Sequence, residues 1–243
     1  VILTTGAGDG LGRAAALAYA RHGASVILLG RTQKKLEAVY DEIQQQGGPL
    51  PAIMPLDLGK AGMDAYQKVV HGIIQEFGRL DGLLHNAAFL GQLAPFSLSN
   101  LEMWPQVMQI NLNAAVLLTH ACLPLLEKSP DASIVFTSDS VGRSGRAYWG
   151  AYGVSKAAVV ALSEQLRAET HGTGVTVSVL CPAFFRTNLL ESWQGNARMK
   201  GFADKMMESS PDTLESVSNA VFAAVQRGDF LVIPTVKEPM RWR

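Results

Sequence analysis

The chain has 243 residues, 48% hydrophobic and 17% charged, and its acidic and basic side chains balance to a formal net charge of zero. This is the composition of one globular domain, and the neutral balance excludes the basic face that nucleic acid or an anionic membrane surface needs. No uninterrupted apolar run reaches the about 20 residues of a spanning helix, so no membrane partner is expected. Two cysteines, Cys122 and Cys181, are too few for a disulfide framework. They point to a reducing compartment, and a cytoplasmic location is expected. The opening residues carry no secretory leader, and the chain enters its first apolar run without a Met, so a few preceding residues are expected.

In chain order, Val1–Thr5 is a β-branched apolar run of the kind found in buried parallel strands, and a helix follows at roughly 11–22. Strands are expected at Ser25–Leu29, Leu50–Leu56, Gly82–His85, Ser133–Thr137, Val175–Leu180 and Phe230–Ile233. Helices are expected at Lys34–Gln46, Asp64–Phe77, Leu101–Leu126, Ala151–Thr170 and Leu214–Gln226. No Pro/Gly/Ser linker or internal repeat interrupts the alternation. It predicts an α/β chain with a three-layer doubly wound parallel β-sheet, a Rossmann fold, as a single domain over 1–243.

Ligands of such sheets bind beyond the C-terminal strand ends. Polar and glycine residues collect there: Gly6, Gly8, Asp9, Gly10, Leu11 and Gly12 after the first strand, Arg31 after the second, Asp57 and Leu58 after the third. Asn86, Ala87 and Ala88 follow the fourth strand, Ser138, Asp139 and Ser140 the fifth, and Pro182 and Thr187 the sixth. Strand, glycine turn and helix together make a phosphate site, because glycines let the backbone approach closely and the helix N-terminus faces the anion. The second strand ends Leu29-Gly30-Arg31 without a carboxylate, and Lys34 and Lys35 lie close by. A basic strand end favours a ribose phosphate, so NADP(H) is expected over NAD(H), although Asp9 in the glycine loop counts against this.

Tyr152 and Lys156 stand four residues apart on the predicted helix and share one face. An ammonium beside a phenol stabilises phenolate and lowers the tyrosine pKa, which makes the pair an acid–base device.

With these motifs the chain resembles the classical short-chain dehydrogenase/reductase family. Thr5-Gly6-x-x-x-Gly10-x-Gly12 matches its cofactor motif and Tyr152-x-x-x-Lys156 its catalytic motif; His85-Asn86-Ala87-Ala88, Asn111, Pro182 and Thr187 fall in the family's order. The N-terminal two thirds resemble an uncharacterised bacterial branch, the YciK type. The resemblance implies hydride transfer between a nicotinamide and a carbonyl or alcohol carbon. It implies that Tyr152 is the proton donor and that Lys156 tunes it and holds the cofactor's ribose. It also implies that Asn111 holds a water in a relay, that Asp57 and Leu58 bind adenine, and that Asn86–Ala88, Pro182 and Thr187 line the cofactor.

The resemblance also implies a serine that donates to the substrate oxygen. At its position this sequence has Asp139, between Ser138 and Ser140. An ionised carboxylate only accepts hydrogen bonds, and it opposes Lys156 in setting the tyrosine pKa. Three arrangements are open. Ser138 or Ser140 supplies the hydroxyl; or Asp139 is protonated and donates; or activity is low or absent and the chain is a dinucleotide-binding sensor.

Residues 183–212 are expected to form a substrate lid, with Phe184, Phe185, Leu189, Leu190, Trp193 and Phe202 as an apolar wall. The expected partners are an apolar small-molecule carbonyl or alcohol and a second copy of the chain, as a homodimer or homotetramer. The histidines are scattered without metal-ligand spacing, and no metal is expected.

Overall fold

The computed structural model describes residues 1–182, 188–192, 194–195, 201, 205, 208 and 212–234. In chain order the strands are β1 (Ile2–Thr5), β2 (Val26–Gly30), β3 (Ala52–Pro55), β4 (Gly82–His85), β5 (Gln92–Leu93), β6 (Ala132–Thr137), β7 (Val175–Leu180), β8 (Gln194–Gly195) and β9 (Leu231–Val232). The helices used below are α1 (Gly10–Arg21), α2 (Gln33–Gln45), α3 (Met63–Phe77), α4 (Trp104–Met108), α5 (Ala114–Leu126), α6 (Ser140–Arg143), α7 (Gly150–Glu169) and α8 (Leu214–Arg227).

Seven strands form one parallel sheet in the order β3-β2-β1-β4-β6-β7-β9. Strand side chains alternate between faces, so a strand covered on both sides must be apolar throughout. In β2, Ile27 and Leu29 pack with α3, α5 and α7, whereas Val26 and Leu28 pack with α1, α2 and α8. In β6, Ile134 and Phe136 join the first layer and Val135 the second. The chain order reverses at β1, which pairs with β2 on one side and β4 on the other. The crevice at that reversal opens between the loops after β1 and β4.

The expected Leu101–Leu126 helix is broken into pieces. A 3-10 turn at Leu101–Met103 and α4 are followed by a π-helical turn, Gln109–Asn113, before α5. Its extra residue per turn carries Asn111 into the protein, where it is buried. Taken as one stretch, Leu101–Leu126 has the length to cross a membrane, and an 18-residue window in it has a mean hydropathy of 1.3. In the fold, Leu118, Cys122, Leu125 and Leu126 are spent on the core beside the sheet. The small β5–β8 pairing, Gln92 with Gln194 and Leu93 with Gly195, had no signal in the sequence.

Candidate active site

The turn after β1 is held by contacts that leave no room for larger residues. Gly6 has φ +66°, in the left-handed region that glycine occupies without strain. A Cβ on Gly12 would lie 2.3 Å from the Gly6 carbonyl oxygen and 2.6 Å from Asn86 Nδ2. The turn is stitched to the end of β4 through Thr5, whose hydroxyl accepts from the backbone N–H of Asn86 (2.9 Å) and Ala87 (3.1 Å). Asn86 Nδ2 in turn donates to the Thr5 carbonyl at 3.3 Å. Thr5 is therefore a positioning residue absent from the sequence-derived site, although it directly precedes the first glycine.

Asp9 caps α1, accepting from the Gly10 N–H at 2.7 Å. The same carboxylate takes Lys35 Nζ at 2.6 Å and Asn188 Nδ2 at 2.9 Å. Partial burial works against its charge, but Lys35, Asn188 and Gly10 outweigh that and hold the carboxyl below its usual range. The loop after β1 is thus tied to both the start of α2 and the segment 188–192.

These loops bound a cavity of about 560 Å³, within the size range of small-molecule sites. One end is formed by Arg31, Thr32 and Lys35, the middle by Gly6–Leu11, Asp57, Leu58 and Asn86–Ala88, and the other end by Ser138–Ser140, Tyr152 and Lys156. Pro182, Leu189 and Leu190 complete the rim. The cavity therefore brings together the expected residues after β1, β2, β3, β4 and β6 with both residues of α7. Gly12 and Asn111 stand behind its wall. Asp57 does not cap α3, whose N-cap is Gly62; its carboxylate accepts from the Gly59 N–H at 3.0 Å within its own turn. Thr187, Phe184, Phe185, Trp193 and Phe202 lie outside the described residues, so of the expected lid wall only Leu189 and Leu190 are placed.

At the catalytic end β6 stops at Thr137, and Asp139 caps the short helix α6, accepting from Val141 N–H (2.7 Å) and Gly142 N–H (3.3 Å). A cap of this kind is worth about 1 kcal/mol. Tyr152 lines the same end of the cavity as the Asp139 carboxyl and feels its charge. Asp139 keeps some solvent contact through the cavity, but the groups packed around it strip most water from the carboxyl. Burial therefore raises its pKa, while Lys156, Tyr152 and the two backbone N–H groups pull the other way. Tyr152 is pushed well above the ordinary phenol value, by burial first and then by the Asp139 charge. This is opposite to the direction expected from the Tyr–Lys pair alone. Lys156 stands 5.6 Å from the Tyr152 ring centre and is itself lowered by burial, with Asp139 opposing. Its ammonium donates to the Thr137 carbonyl at 2.7 Å.

The two flanking serines differ. Ser138 donates to the Lys156 carbonyl at 2.9 Å, so its proton is spent on the backbone of α7. Ser140 is buried, lines the cavity, and its Oγ has no hydrogen-bond partner among the described residues. Strand alternation does not decide where either points, because Ser140 already belongs to α6. Asn111 makes three bonds: Oδ1 accepts from Phe89 N–H (2.7 Å), and Nδ2 donates to the Phe89 carbonyl (3.1 Å) and to Ser155 Oγ (2.9 Å). Ser155 donates to the Tyr152 carbonyl at 2.7 Å, so Asn111 joins the loop after β4 to the catalytic helix. His85 is buried, bonded to Thr119 and stacked on Phe136; burial pushes it down to about 3, leaving it a neutral core side chain.

Residues 1–197 match the family described as short chain dehydrogenase. The chain belongs to that family. Over 192 residues it is 46% identical to the uncharacterized oxidoreductase YciK of Escherichia coli (strain K12), covering 79% of this chain and 76% of that one. The solved structure of an oxidoreductase, YciK from E. coli, superposes with a TM-score of 0.86 at 38% identity, covering 96% of this chain and 94% of that one. A Shigella flexneri protein classed as a short chain dehydrogenase and complexed with NADP gives 0.82 at 38% identity, over the same shares. The protein is thus a YciK-type, NAD(P)-dependent oxidoreductase.

The residues fit a dinucleotide. The glycine turn that a Cβ at Gly12 would fill, the N-terminus of α1 and a single elongated cavity from Arg31 to Tyr152 suit a pyrophosphate with a base at each end.

Proposed function

We propose that the protein transfers hydride between NADP(H) and the carbonyl or alcohol carbon of a largely apolar small molecule. The observation that carries this reading is one continuous cavity with a basic end, Arg31 and Lys35, and an acid–base end, Tyr152, Lys156, Asp139 and Ser140. When bound, the cofactor supplies the hydride. Arg31, Thr32 and Lys35 would hold the adenosine end, Gly6–Gly12 the pyrophosphate, and Lys156 the nicotinamide ribose. Arg31 at the end of β2 supports NADP(H), and the Lys35–Asp9 ion pair removes the negative charge that Asp9 would otherwise set against a ribose phosphate.

The reacting oxygen would lie against Tyr152. In reduction, Tyr152 gives its proton to that oxygen, and Ser140, whose hydroxyl is not otherwise engaged, is the second donor. Lys156, pinned by Thr137, places a positive charge behind the phenol. Ser138 and Asn111 position α7 rather than touch substrate. A catalytically weak dinucleotide binder is the second reading, favoured by burial and the Asp139 charge, which make Tyr152 a weaker acid.

The outer faces of α5 and α7, with Val116 and Val154 exposed, suit self-association as a homodimer or homotetramer. The two free buried thiols suit a reducing, cytoplasmic setting. Fluorescence titration with NADPH and NADH, joined to turnover of a carbonyl panel, tests the reading. Tight NADPH binding with turnover supports it, tight binding without turnover selects the weak binder, and no binding of either nucleotide refutes both.

A further inference from the structure

We propose that Asp139 is a specificity residue for a protonated amine on the carbon next to the reacting carbonyl, so that the site acts on vicinal amino ketones and amino alcohols. This rests on the hydride-transfer reading above and names its substrate class.

Hydrogen-bond polarity points this way. The two N–H groups of α6 hold the Asp139 carboxyl in place, and it lines the same end of the cavity as Tyr152. A neutral ketone offers only lone pairs. It would meet a carboxylate that only accepts and that competes with it for the phenol proton. A substrate ammonium supplies the missing donor. It takes over the carboxylate, and the Tyr152 hydroxyl turns to the substrate oxygen.

Charge adds to this. Lys156 and Asp139 line one end of the cavity with opposite charges that cancel, so a forming alkoxide finds no net positive charge. An ammonium on the substrate restores one. One Lys156 N–H is spent on the Thr137 carbonyl at 2.7 Å, and the two N–H groups of α6 leave acceptor sites of the carboxylate open to a substrate donor. The other ionisable groups nearby are Cys181, a thiol pushed up to about 12 by burial, and Arg143 on α6.

Asp139, Ser140 and Tyr152 line the same end of the cavity, which suits a nitrogen and an oxygen held close together on one substrate. Phe89, Leu90, Ile110, Trp149 and Leu190 give the rest of this end an apolar wall, so the amine sits on an apolar body.

In the reduction, hydride with its two electrons reaches the carbonyl carbon from the reduced cofactor and the C=O π pair moves to oxygen. That oxygen takes the Tyr152 proton, and Tyr152 is reprotonated from solvent. The ammonium keeps its protons throughout.

Phenacylamine and its methyl isostere propiophenone, reduced with NADPH, provide the test. Calorimetry of phenylethanolamine binding to the cofactor-free protein is the second readout. Wild type should favour phenacylamine by about tenfold or more in kcat/KM, the scale of one charge-assisted hydrogen bond. Asp139→Ser should invert the preference. Asp139→Asn, which keeps the cap on α6, should abolish it and weaken phenylethanolamine binding by about tenfold. Equal use of both ketones, or an amine preference that survives in Asp139→Ser, overturns the inference. Turnover of propiophenone alone overturns it and leaves the proposed function standing. Turnover of neither, with NADPH bound, overturns both.

Discussion

Replacing Asn111 with alanine tests how the catalytic helix is held. The substitution removes all three Asn111 bonds, leaving the Phe89 N–H and carbonyl without their partners, while Ser155 keeps its bond to the Tyr152 carbonyl. Two partly buried backbone groups left unsatisfied cost about 1–3 kcal/mol each. Phe89 is only half-buried and water can reach part of the gap, so about 2–4 kcal/mol is expected. For a domain of this size that lowers Tm by roughly 5–15 °C. Calorimetric or fluorescence melting measures it directly. Asn111→Asp keeps an acceptor for the Phe89 N–H but sets a second acceptor against its carbonyl, so it should recover less than half of the loss. A fall below about 2 °C in Asn111→Ala would show that the Phe89 loop is fixed by something else, and the positioning role of Asn111 would be wrong.

Three further outcomes follow from the site. Gly12→Ala drives a Cβ into the Gly6 carbonyl oxygen at 2.3 Å, so the turn must shift; NADPH affinity by fluorescence titration should fall by about tenfold or more. Arg31→Ala should weaken NADPH by about tenfold while leaving NADH nearly unchanged, and equal losses for both would remove Arg31 from phosphate recognition. The raised Asp139 pKa favours the protonated carboxyl in the folded state, so this group's stabilising contribution is full below its unfolded value, about 3.9, and is lost as pH rises through the higher folded one. Asp139→Asn should accordingly gain stability over wild type at pH ~7, and the gain should shrink as urea midpoints are measured towards pH ~4; a gain that does not depend on pH contradicts the assignment.

Much of the architecture was legible because each strand of the seven-stranded sheet carries apolar residues on both faces, so the runs at Val26–Leu29 and Ile134–Phe136 announce a sheet covered on two sides. The glycine turn was legible for a related reason, since few sequences place Gly6, Gly10 and Gly12 between a strand and a helix. The π-turn at Gln109–Asn113 was not, because its residues have ordinary helical character and only tertiary packing turns Asn111 inward. The division of labour between Ser138 and Ser140 was equally hidden. It depends on where β6 ends and α6 begins, and one residue of difference exchanges a hydroxyl tied to the Lys156 carbonyl for one facing the cavity. Asp139 was visible as a departure from its family. Its place beside Tyr152 in one cavity needed the fold.

The most direct test of the account is turnover by Tyr152→Phe, followed by the absorbance of reduced nicotinamide with the best carbonyl substrate, alongside NADPH titration of the same variant. The phenyl ring preserves packing against Trp149 and removes only the proton donor. The account predicts a loss of roughly a hundredfold to ten-thousandfold in kcat with NADPH affinity retained. Turnover within about twofold of wild type would contradict it.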